Sequence, residues 1–168
     1  MAAKKLTVLD GGCPLEFSFE DLMRYHGPGS PGGVAQAFKV LERALPLLDA
    51  DATPERREIR IETAFGGPGA RDAFELVTRA VTEERYMVDP ALARPECGKA
   101  NERFVFRLTY RERVVTLIVR EGFVTDEFIE LARTRARTRE EESRLTFLKR
   151  DMAERVMSTP AAEVYDEA

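Results

Sequence analysis

The chain has 168 residues, enough for one domain that buries roughly two thirds of its unfolded surface in a single core. A third of the residues are charged, and 30 acidic against 26 basic side chains give a formal net charge of −4, so no protein-wide positive field draws in nucleic acid. The two cysteines, Cys13 and Cys97, form no Cys-x-x-Cys pair, which argues against a zinc or dithiol motif and fits a reducing cytoplasm; no stretch nears the roughly 20 apolar residues of a membrane span.

The apolar run behind Lys4 and Lys5 is too short for a signal peptide, so a cytoplasmic location is expected. Phe17 to Met23 predicts a short helix with Ser18 as N-cap and Asp21 completing a capping box. His26 to Gly33 then holds four glycines and two prolines in eight residues and reads as a shaped loop without regular structure. Val34, Ala37, Phe38, Leu41, Leu45 and Leu48 recur at helical spacing, predicting a helix that buries one face and is closed by Pro46 and by Asp49 to Pro54.

Polar and apolar residues alternate from Glu58 to Phe65, the pattern of a half-buried strand, and Gly66 to Gly69 reads as a second glycine-rich turn. A helix opening near Arg71 and Asp72 follows, then a short strand at Tyr86 to Val88 and a longer loop over Pro90 to Asn101. Phe104 to Tyr110 and Val114 to Val119 are rich in β-branched and aromatic residues and predict an antiparallel hairpin. Thr125, with Asp126 and Glu127, opens a helix, and the tail to Met157 reads as two helices, or one with a charged waist, packed on the core or against a second copy of the chain. Arg133, Arg135, Arg137 and Arg139, followed at once by Glu140 to Glu142, read as a solvated, self-paired face.

The loop at 26–33 is the place where chemistry is expected. A glycine-rich loop opening a helix suits a small anion, because the first-turn N–H groups have no helical partner. His26, Gly27, Gly29, Ser30, Gly32 and Gly33, with Gly67 from the second turn, are therefore the expected ligand-binding set. The Walker lysine and the dinucleotide fingerprint are both missing. His26, the single histidine, suits a general base, and equally a plain cap of the loop; Ser30 would need His26 and an orienting carboxylate to act as a nucleophile, and reads better as a helix-capping hydroxyl. Asp72 reads as a helix cap, and Cys13 and Cys97 as inert thiols.

His26-Gly27-Pro28-Gly29-Ser30-Pro31-Gly32, running into the helix Gly33 to Leu45, resembles the opening motif of the E-subunit family of formylmethanofuran dehydrogenase, His-Gly-His-x-Cys-Pro-Gly before an alanine- and leucine-rich helix. The resemblance extends more loosely through Asp72-Ala73 to the hairpin ending near Val119. It implies an α+β fold, helices packed on a small mixed β-sheet with a C-terminal hairpin, over 1–122; the tail over 123–168 lies outside the resemblance and reads from its own residues as a C-terminal helical extension. In the family the motif implies zinc, but Pro28 stands at the second histidine, Ser30 at the cysteine, and Gly69 and Ala80 at the later cysteines. The resemblance therefore implies a degenerate metal site with no cofactor, in a homodimer that binds a small anionic ligand or a partner. The alternatives it leaves are an enzyme using His26 as base in a repurposed pocket, and an accessory subunit of a molybdenum or tungsten oxidoreductase.

Overall fold

A computed structural model describes residues 3–168. The chain opens with a hairpin beyond the elements expected from the sequence: β1 (Lys5–Asp10) pairs antiparallel with β2 (Cys13–Ser18). The turn is Gly11-Gly12, with φ of +59° and +83°, the backbone a two-residue hairpin turn needs. Glu55 holds it by accepting both turn N–H groups, at 3.0 and 2.8 Å. Leu6 and Val8 point from β1 into the core.

Ser18 caps α1 (Phe19–His26) as expected, its hydroxyl accepting the Asp21 N–H while the Asp21 carboxylate accepts the Ser18 N–H. Gly27, at φ +88°, ends the helix. The loop proper is shorter than the expected span of 26–33. His26 belongs to the end of α1, and α2 (Pro31–Leu48) begins at Pro31, where a missing N–H costs nothing.

Contrary to expectation, Pro46 does not close α2. So near the C-terminus its missing donor removes only one late bond, and Asp49 N–H closes the helix on the Leu45 carbonyl. Nor does α2 bury one face only. Eight consecutive residues, Val34 to Leu41, are buried, because the helix Pro68–Thr78 packs on one side, the helix Arg139–Met157 on another, and the main sheet beneath. Helical spacing marks the stripe facing the sheet but not the second cover, which arrives from the far end of the chain.

β3 (Ile59–Thr63), α3 (Pro68–Thr78) and β4 (Tyr86–Val88) make a parallel crossover unit. α3 starts at Pro68 rather than near Asp72, so Pro68 and Gly69 are its first turn and not part of a free loop. β5 (Val105–Tyr110) and β6 (Arg113–Val119) form the expected hairpin. The main sheet runs β4-β3-β5-β6 and ends on the C-terminal strand β7 (Tyr165–Glu167), antiparallel except for β3 with β4.

The tail forms α4 (Asp126–Arg133), α5 (Arg139–Met157), the short α6 (Ala161–Val164) and β7 (Tyr165–Glu167). Of the two resting places the sequence allows, α5 takes the core, lying along α2, and β7 adds the last strand of the sheet against β6. Val124, Ile129, Met152, Val156 and Tyr165 belong to the same hydrophobic cluster as Phe38, Ile61 and Phe106. The class is α+β, helices on a mixed sheet. Among the described residues no helix is long and apolar enough to cross a membrane.

Candidate functional site

The first turns of α2 and α3 touch backbone to backbone, and this contact explains two of the glycines. A Cβ on Gly69 would lie 2.5 Å from the Ser30 carbonyl oxygen and 3.1 Å from the Val34 nitrogen, and one on Gly33 would lie 3.2 Å from the Ala70 nitrogen. Gly33 and Gly69 are there because two helices meet at that point. Gly32 is likewise backed by Met152 of α5. Glycine content that suggests room for a ligand is, in these three places, room for helix packing.

His26 makes a different contact with α3, one that carries no sequence signal. Its Nδ1 lies 2.8 Å from Asp72 Oδ2, 46 positions along the chain, with the imidazole 9% exposed. Asp72 does not cap α3, since Gly67 holds the N-cap position; it stands one turn in and reaches the end of α1. Nε2 is buried and without a hydrogen-bond partner among the described residues, and in the neutral ring that donates Nδ1–H to the carboxylate it carries the lone pair. The orienting carboxylate that an active imidazole needs is therefore present, and only the fold brings it to the ring. Ser30 is not its partner. Ser30 occupies the N-cap position of α2 but its hydroxyl makes no capping bond, contrary to expectation, and it faces a cavity that His26 does not line.

That cavity, of about 430 Å³, opens between the N-terminal ends of α2 and α3 and the helices α4 and α5. Ser30, Gly32, Gly33 and Gly67 line it, whereas His26, Gly27 and Gly29 do not. Phe65 and Phe104, stacked with ring centroids 4.3 Å apart, form one wall; Phe128 and Ile129 of α4 and Leu145 of α5 form another. Five cationic side chains reach the same space, Lys99, Arg103, Arg133, Arg137 and Lys149, and no carboxylate is among its described lining residues.

The five are not equally available. Arg137 ties the C-terminal end of α4 through the carbonyls of Leu131 and Thr134 and pairs with Glu142, while Arg133 lies 3.6 Å from Glu102. The arginine run is thus only partly self-paired: Arg133 and Arg137 turn into the cavity. Among the described residues Lys99, Arg103 and Lys149 have no carboxylate partner, and Lys149 Nζ donates to the Gly29 carbonyl at 3.1 Å, tying α5 to the loop. Nothing in the sequence marks these three as a group, because they come from the loop before β5 and from α5, each ordinary in its own context.

Cys13 is exposed on β2 and Cys97 half-buried in a turn; neither lines the cavity. Of the positions matched to family cysteines, Ser30 and Gly69 are neighbours, whereas Ala80 lies beyond the far end of α3, roughly 16 Å away by helical rise. One imidazole, one hydroxyl and a glycine do not make the four converging ligands of zinc. Set beside protein-family models and curated proteins, the sequence matches none of them.

Proposed function

We propose that this chain is a divergent relative of the E-subunit family of formylmethanofuran dehydrogenase that binds a small anionic ligand in the cavity between the 26–33 loop and the C-terminal helices, with no metal. The observation that carries the reading is a cavity lined by five cationic residues and no carboxylate, of which Lys99, Arg103 and Lys149 have no carboxylate partner among the described residues, in a chain whose net charge is −4. The positive ends of two helices add to it, since residues of the first turns of both α2 and α3 line the same space. The adjacency of Ser30 and Gly69, both matched to family cysteines, supports a family site reused after its thiolates were replaced.

Calorimetric titration with inorganic phosphate tests the binding. Saturable binding to wild type, weakened about tenfold in Arg103→Ala and by added salt, is the expected result. An unchanged affinity in Arg103→Ala and Lys99→Ala would remove the cavity from the reading. Stoichiometric zinc in metal-supplemented protein, lost in His26→Ala, would overturn the metal-free part.

The His26–Asp72 pair favours a second reading, an enzyme in which His26 is the base. Asp72 holds the ring in the tautomer that leaves Nε2 able to accept a proton. Any activity found by substrate screening should fall at least about a hundredfold in His26→Ala; an unchanged rate sinks this reading.

A further inference from the structure

We infer that the ligand of this cavity is an organic anion, a phosphate or carboxylate group carried on an apolar body, and not a bare inorganic oxyanion. The inference rests on the anion-binding reading above and narrows it. Size is the first argument. About 430 Å³ lies in the range of small-molecule sites, whereas one water's share of the liquid is only about 30 Å³, so a lone oxyanion would leave most of the space to solvent.

The lining is the second argument. Lys99, Arg103 and Lys149 line the cavity and no carboxylate does, while Phe65 and Phe128, half-buried, present apolar surface to the same volume with Phe104 and Leu145 buried behind them. A site built for a hydrated inorganic ion has no use for aromatic walls, since their exposed surface would stay in contact with water. A ligand with a charged head and an apolar body satisfies both parts at once. An aromatic body suits a wall that holds Phe65 and Phe128, since contact between aromatic rings adds to simple burial.

The test is made on the wild-type 168-residue chain by titration with four probes: inorganic phosphate, phenyl phosphate, benzoate and benzyl alcohol. Phenyl phosphate or benzoate should bind at least about tenfold more tightly than inorganic phosphate, with benzyl alcohol weakest. Which of the two is tighter identifies the head group. The gain over inorganic phosphate should shrink in Phe128→Ala, and the wild-type comparison stands by itself should that variant not fold. Equal affinities for inorganic phosphate and both organic anions would overturn this inference while leaving the anion reading intact. Binding of benzyl alcohol as tight as the anions, or no binding of any anion, would overturn both.

Discussion

Gly69→Ala sets two physical effects against each other. Within the first turn of α3, alanine is the better helix former by up to about 1 kcal/mol, so propensity alone predicts stabilisation. The packing predicts the reverse. The added methyl would meet the Ser30 carbonyl oxygen at 2.5 Å, the Ser30 Cβ at 3.0 Å and the Val34 nitrogen at 3.1 Å. Backbone cannot rotate away as a flexible side chain can, so α2 and α3 must move apart, and overpacking of this kind costs about 1–3 kcal/mol. The net expectation is a loss of about 1–2 kcal/mol, or roughly 2–8 °C in Tm for a chain of this size. Urea unfolding followed by circular dichroism measures it, with Gly29→Ala as the control, since a Cβ there meets nothing within 4 Å. A Gly69→Ala protein as stable as wild type, or more so, would refute the claim that this glycine exists for helix contact.

Further expectations concern the polar groups that fix the frame. Arg56, 7% exposed, donates to the carbonyls of Val77 at 2.9 Å and Leu76 at 2.5 Å at the C-terminal end of α3, so Arg56→Met should cost about 3 kcal/mol in chemical unfolding, and Arg56→Lys should not rescue it. The Tyr165 hydroxyl donates to Gln36 Oε1 at 2.6 Å in the core, and Tyr165→Phe should lower stability by about 1–2 kcal/mol in the same assay. The Arg107 guanidinium opposite Glu62 on the neighbouring strand, helped by Arg60, holds the Glu62 carboxyl below the usual carboxylate range despite partial burial. A depressed carboxylate contributes stability above its unfolded pKa of about 4.3 and loses it as pH falls through the lower folded value, so stability should be flat above about pH 5 and decline below about pH 4. Glu62→Gln should make that acid limb shallower, the remainder belonging to other depressed carboxyls such as Asp21 and Glu75, and an unaltered limb would exclude Glu62 from it.

Much of this protein is legible in the sequence because its signals are local. The reciprocal Ser18–Asp21 cap, the helical stripe from Val34 to Leu48 and the β-branched runs that make β5 and β6 depend on residues close in the chain, and periodicity or capping chemistry reads them directly. The β1–β2 hairpin has a local mark too, Gly11-Gly12 between Leu6, Val8 and Leu15, but its strands are short and β2 is mostly exposed, so alternation along them is weak. The site is a different matter. That His26 meets Asp72, that Gly33 and Gly69 space two helices, and that Lys99, Arg103 and Lys149 face one cavity depends on how α1, α2, α3 and α5 pack, and the partners in each case lie far apart in the chain. Short-range sterics and hydrogen bonding, written in the order of residues, determined which segments prefer helix or strand. Tertiary packing decided which side chains share a space, because charge and shape complementarity arise only between surfaces the fold brings together.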